Sequence, residues 1–270
     1  MDEQGRSHHE RFAVLRRARR IWAVASIHGE RDRLAGLHRV LAEALEEGDR
    51  LVYLGNHLGG ADPIGTVEEL LAFRRRMIAR PRAFASDLVY LRGSLEEMWQ
   101  KLLQLQFAPN PREVLDWTIR HGLGATLRAY GGSEGAGAAA ARDGAVAITR
   151  WTQSLRAAMQ ARPGHSNLMS ALRRAALTDD GKLLFVHAGI DPSRPLSAQS
   201  DSFWWNLGGF SRLAQPYAGF QRVIRGYDRD HAGLIEAAYT TSLDAGSGFG
   251  GPLLAACFDP QGALLATIEA

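Results

Sequence analysis

One cysteine, no apolar run approaching 18 residues, and a formal charge of only +3 across 270 residues remove several classes of protein at the outset. Cys257, alone in the apolar stretch "LLAACF", excludes an internal disulfide and a multi-cysteine metal site, and reads as a small core residue. The N-terminus "MDEQGRSHHERFAVLRRARR" carries acids first and no apolar signal region, so neither a secretory leader nor a membrane span is visible and a cytoplasmic protein is expected. Basic residues are dispersed among acids except at "RRARR" (16–20) and "RRR" (74–76), which read as solvated helix faces and not as a nucleic-acid surface. What is present is a core: 46% hydrophobic and 23% charged residues suit one large domain.

The apolar pattern alternates between strand and helix. "IWAVA" (21–25) is a β-prone run, followed by Leu34, Leu37, Val40, Leu41 and Leu45 at helical spacing. "RLVYLG" then leads through a Gly- and Pro-containing loop to the helical "GTVEELLAFRRRMIA". "DLVYLRG" leads to "SLEEMWQKLLQLQ", with Ser94 as expected N-cap and Glu97 three residues on. Three strand-to-helix passages predict parallel pairing. "NPREVLDWTIRHG" predicts a helix from Pro111 to Gly122. Residues 131–146 have little complexity and read as a flexible loop, before helices in "ITRWTQSLRAAMQ" and "HSNLMSALRRAAL". Strands dominate from "KLLFVHAG" onward. The expectation is an α/β sandwich of two mixed sheets flanked by helices, a mobile tail over 1–18, and a single domain over 19–270.

The predicted strand ends read "ASIHGE", "YLGNHLGG", "YLRGSLEE", "FVHAGID" and "IRGYDRD". In order and spacing they resemble the calcineurin-like metallophosphoesterases, specifically the bacterial serine/threonine protein phosphatase branch, with its pattern GDxHG, GDxVDRG, GNHE, HAG or HGG, then GH. The resemblance runs from about residue 19 to the end and implies a metallophosphoesterase-like sandwich. Such a site holds two metal ions on carboxylates, an Asn and imidazoles, which generate a hydroxide and clamp the transferring phosphoryl group.

Carried over residue by residue, that pattern is degenerate here. The first-motif Asp falls on Ser26, and its His is retained as His28. The bridging Asp falls on Asn56, while the second Asp and the phosphate-binding Arg of that motif fall on Gly59 and Gly60. The Asn ligand and catalytic His of GNHE fall on Ser94 and Leu95. His187 is retained, and the final His has become Tyr227. Four of six implied metal ligands are replaced. Two dications ~3.5–4 Å apart repel by roughly 20 kcal/mol at an effective dielectric of ~20, and these positions offer imidazoles, an amide and hydroxyls with no negative charge to offset it. No cofactor is expected; if there is one, it is a single weakly held Zn, Mn or Fe on His28 and His187. Asp62, Asp191, Asp228 and Glu96 are the acids near enough in sequence to rebuild a site, against their plainer reading as turn and helix-cap residues.

The expected function is therefore that of a pseudophosphatase, a binding or regulatory protein whose partner is an unknown protein or phosphorylated ligand, with no nucleic acid or membrane. The alternative is a metal-dependent phosphoesterase using a non-standard ligand set. "GSGFGG" (246–251) matches a dinucleotide loop only formally, because Pro252 and a β-like run follow in place of a helix. "GSL" at Ser94 lacks the second glycine of a nucleophile elbow. His57, His121, His165 and His231 carry no spacing signal, and His8 and His9 lie in the expected tail. "SFWWNLGGF" (202–210) reads as core, with an exposed Trp pair as a possible partner surface.

Overall fold

The computed structural model describes residues 11–270, so His8 and His9 lie outside the described residues. The predicted parallel unit is present. Strands β2 (Ile21–Val24), β3 (Arg50–Tyr53) and β4 (Leu88–Tyr90) pair parallel in register Val24↔Tyr53 and Tyr53↔Tyr90. β2 also pairs antiparallel with β10 (Leu254–Phe258), which carries the edge strand β11 (Leu264–Glu269). The second sheet runs β1 (Phe12–Leu15), β5 (Ala175–Thr178), β6 (Leu183–Val186), β7 (Arg222–Arg225), β9 (Thr240–Ser242), β8 (Ile235–Glu236). Both sheets are mixed, and helices flank them.

Alternation along β6 explains how the layers join. Leu183 and Phe185 enter the core between the sheets, where Phe185 meets Phe258 edge to face at 6.5 Å. Leu184 and Val186 face the other way, onto a second cluster with Phe203, Trp204 and Phe210. A strand buried on both faces reads as a continuous apolar run, which is why "LLFV" and "IWAV" show no polar alternation.

Helices α1 (Arg31–Ala44) and α2 (Pro63–Ile78) follow β2 and β3. Asp62 caps α2, its carboxylate accepting from Gly65 N at 2.8 Å, with Pro63 in the first turn where its missing N–H costs nothing. Helix α3 (Ser94–Leu103) follows β4, and here the predicted cap shifts by one residue: Gly93 is the N-cap, Ser94 the first helical residue, and Glu96 rather than Glu97 closes the turn, accepting from Gly93 N at 2.7 Å. Helix α4 (Pro111–Thr118) is shorter than predicted, continuing into a π-turn at Ile119–Leu123 where Gly122 adopts φ 98°.

Three segments depart from the sequence reading. Phe12–Leu15, assigned to the tail, pairs parallel with β5. Residues 131–146, assigned to a flexible loop, contain α6 (Glu134–Asp143), reached through α5 (Gly124–Ala129). Ser133 caps α6, and Gly137 packs so closely on Trp151 that a Cβ there would lie 2.8 Å from the indole. The helical reading of 165–177 covers α8 (His165–Ala171), after α7 (Ala145–Gln160), but its last residues belong to strand β5.

Candidate functional site

The ends of β2, β3, β4, β6 and β7 converge at one edge of the sandwich, the place where open α/β sheets put their ligands. Backbone bonds tie the loops to one another. Ser26 N donates to Gly226 O at 2.9 Å; Ile27 N and His28 N donate to Asn56 O at 3.2 and 2.6 Å; Gly226 N and Tyr227 N donate to His187 O at 3.0 and 2.9 Å. The fold thus brings together Ser26, His28, Asn56, Gly59, Gly60, Ser94, Leu95, His187 and Tyr227.

Asn56 is the hub. Its Oδ1 accepts from Ser94 Oγ at 3.1 Å and from Leu95 N at 3.0 Å, while Nδ2 donates to His28 Nε2 at 3.3 Å. The residue is buried and sits in the left-handed region at φ 50°, a conformation asparagine tolerates better than most residues. One amide therefore links three strand ends, using both its donor and its acceptor. Leu95, also buried, lies over Gly59, whose added Cβ would fall 2.7 Å from Leu95 Cδ1.

The paired glycines have a packing reason. A Cβ on Gly60, at φ 57°, would lie 1.6 Å from His28 O, and one on Gly29 would lie 1.9 Å from Gly59 O. The loops after β2 and β3 cross backbone on backbone. No side chain fits at Gly60 without parting them.

Electrostatics keep both histidines neutral. Burial lowers the His28 pKa to about 3, with the His187 and His231 rings adding to the effect. Burial lowers His187 to about 4, against opposition from its hydrogen bond to the Leu54 carbonyl and from Glu96. His187 Nδ1 donates to Leu54 O at 2.8 Å, which leaves Nε2 with a lone pair and no partner; Ser26 Oγ is likewise buried and unpartnered. Tyr227 stacks on His187 with ring centroids 5.4 Å apart.

The acids near enough in sequence to rebuild a metal site are engaged elsewhere. Glu96 accepts from Asn56 N, Leu58 N and Gly93 N at 2.9, 2.9 and 2.7 Å, bracing the β3 loop against the start of α3. Asp62 caps α2, Asp191 accepts from Ser193 N and Oγ, and Asp228 pairs with Arg225 at 2.7 Å. Among the described residues no group of three or more His, Cys, Asp or Glu is arranged to hold a metal ion. The paired divalent metals implied by the resemblance do not fit this donor set, because two neutral imidazoles, an amide already used at both ends and the three hydroxyls of Ser26, Ser94 and Tyr227 supply no anionic oxygen.

Sequence reasoning missed two residues here. Phe249, exposed within "GSGFGG", stacks on His231 at 4.3 Å and meets His28 edge to face at 5.0 Å. Asp244 is buried and accepts from Asp228 N, Gly246 N and His231 Nδ1 at 2.9, 2.9 and 2.8 Å. The glycines around Phe249 mark a tight turn, but only contact with the first strand end reveals its place. The other histidines of the sequence reading are engaged locally: His57 Nε2 donates to Leu91 O, His121 Nδ1 donates to Trp117 O, and His165 Nδ1 is hydrogen-bonded to the Tyr130 hydroxyl. Of the Trp pair, Trp204 is buried and Trp205 partly exposed against Trp117.

No family model matches the chain, and no curated protein matches it. Solved structures do. A protein assigned as a diadenosine tetraphosphatase shares 20% identity at TM-score 0.55, covering 97% of this chain and 98% of its own. A protein serine/threonine phosphatase from Saccharomyces cerevisiae shares 12% identity at TM-score 0.51, covering 94% of this chain and 81% of its own. At such identities the likeness is one of fold. The chain has the metallophosphoesterase-like sandwich, two mixed sheets flanked by helices. No helix among the described residues is long and apolar enough to cross a membrane.

Proposed function

We propose that this chain is a non-catalytic binding or regulatory protein on a metallophosphoesterase-like scaffold, a pseudophosphatase. The observation that carries this reading is the Asn56 amide, which spends its donor on His28 and its acceptor on Ser94 and Leu95. A bridging metal ligand needs anionic oxygen directed at the ions, whereas this oxygen already accepts two hydrogen bonds from the protein. Leu95 supports the same reading: phosphoester cleavage needs a proton for the leaving alkoxide, and a hydrocarbon side chain has none to give. The unpartnered lone pair of His187 and the Ser26 hydroxyl fall short of the three protein ligands that an open zinc site uses. The partner is a protein or a phosphorylated ligand that meets the strand-end face, where Phe249 is 60% exposed.

The test is the metal content of untagged protein by plasma mass spectrometry, paired with hydrolysis of p-nitrophenyl phosphate and a phosphopeptide in added Mn²⁺. The expected result is less than about a tenth of an equivalent of metal, with no turnover. Near-stoichiometric metal, with turnover abolished by His28→Ala, would overturn the proposal in favour of a phosphoesterase with a non-standard ligand set.

A further inference from the structure

A cavity of about 290 Å³ lies among helices α3, α7 and α8. One stripe of α3 lines it: Glu96, Trp99, Gln100 and Leu103 follow one another at helical spacing, with Gln104 just past the last turn. Arg156 and Met159, three residues apart on α7, supply a second wall. Met169 and Ser170 of α8 and the following Leu172 supply a third. Unbranched methionines adapt their shape to a guest, and a gap between helices is a common place for a small-molecule site.

The lining combines apolar walls with hydrogen-bond donors. Leu103, Met159 and Leu172 are buried, and so is Trp99 at 2% exposure. The Trp99 ring lies 5.3 Å from that of Tyr130, while its indole N–H has no partner among the described residues. The indoles of Trp22 and Trp151 share that lack but line no part of this space. A buried donor left without an acceptor costs ~1–3 kcal/mol, so a guest that brings an acceptor to Trp99 recovers part of that cost. Charge is settled group by group. The lining carboxylate, Glu96, already accepts from Asn56 N, Leu58 N and Gly93 N. Arg92 pairs with Glu97 at 3.2 Å. Among the described residues Arg156 donates only to the Leu103 carbonyl, through Nη2, and its Nη1 and Nε donors remain for a ligand.

We infer that this cavity binds a small monocarboxylate with an aromatic body, its carboxylate on the Arg156 guanidinium and its ring against Trp99, Met159 and Met169. A planar guanidinium matches the two oxygens of one carboxylate, and a single available cation favours a single negative charge. Thioether sulfurs and an indole favour an aromatic ring over an alkyl chain. The volume sits at the small end of the ~300–1,000 Å³ that ligand sites occupy, which limits the guest to one ring and a short acid chain. The inference is independent of the reading given to the strand ends.

The experiment is isothermal titration of the full chain with 3-phenylpropionate at pH 7.5, with 3-phenylpropanamide as the neutral isostere and propionate as the acid without its ring. One-to-one binding of 3-phenylpropionate is expected, tighter than either control. Arg156→Gln should weaken it about tenfold or more. Ser170→Phe, which fills the cavity from an exposed lining position, should do the same without touching a charge. Arg74→Glu, on a different cavity, should change it less than about twofold. In a ¹⁵N-labelled sample the Trp99 indole cross-peak, identified by its loss in Trp99→Phe, should shift on saturation. No heat from 3-phenylpropionate at millimolar concentration would overturn the assignment. So would the amide binding as tightly as the acid, an unmoved Trp99 cross-peak at saturation, or an equal loss in Arg74→Glu, which would place the acid elsewhere.

Discussion

The strand-end constellation and the sheet-edge cavity solve opposite problems. At the strand ends the scaffold offers the usual location for chemistry, yet neutral groups satisfy one another: an amide bonded at both ends, two uncharged imidazoles, and crossed glycines that leave no room for longer side chains. At the sheet edges, where β1 and β4 line a cavity of about 590 Å³, nothing in the topology announces a site, yet the Arg16 and Arg74 side chains make no ion pair among the described residues. Location in a fold and readiness to bind are separate properties. The second depends on which polar groups and charges the protein leaves unmatched.

The largest expected effect tests whether the strand ends depend on neutrality. In the unfolded chain His28 and His187 take up protons near their ordinary value of 6.5, whereas the folded protein resists until about 3 and 4. Their contribution is therefore complete above the unfolded value and is lost as pH falls toward the folded values. Between pH 7.5 and 5 each should withdraw about 2 kcal/mol, roughly 4 together. Urea denaturation across that range measures it, and His28→Phe should remove about half of the slope. A flat profile would mean that these rings are not held neutral by burial.

A smaller effect tests the hub. Asn56→Leu keeps approximate volume but leaves His28 Nε2, Ser94 Oγ and Leu95 N without their shared partner. A loss of about 3 kcal/mol is expected by denaturant unfolding, since each orphaned buried group costs ~1–3 kcal/mol before relaxation. A change below ~0.5 kcal/mol would mean that water replaces the amide freely and the strand ends are not closed. The smallest effect belongs to the cavity: Arg74→Ala removes no hydrogen bond or ion pair among the described residues, so stability should stay within ~0.5 kcal/mol, read by the same unfolding curve. A larger loss would make Arg74 a structural residue and blur the contrast between the two regions.

Legibility followed the physics of each segment. The parallel unit β2, β3, β4 was readable because each short apolar run ends in a small or turn-forming residue and is followed by helical spacing. The acids near the strand ends were readable as caps and turns, since Asp62 and Glu96 precede or open helices. Helix α6 was hidden because its buried face is made of Gly137 and Ala140, which carry little hydrophobic contrast although alanine favours helix. Strands β1 and β5 were hidden for another reason. Runs as short as "FAVL" and "AALT" become strands only when paired, and their registered partners, Phe12 with Ala175 through Leu15 with Thr178, are some 160 positions apart.

The sequence by itself determined the α/β class, the order of the strand ends and the absence of carboxylates at the matched ligand positions, because periodicity and residue type are local properties. Only the tertiary structure decided what those substitutions do and where charge is left over. The Asn56 amide meets His28, Ser94 and Leu95 across separations of 28, 38 and 39 residues. Arg16 and Arg74 line one cavity from two distant segments that share no motif. Hydrogen-bond satisfaction and electrostatic field depend on distance in space, and sequence separation carries almost no information about that until the chain has folded.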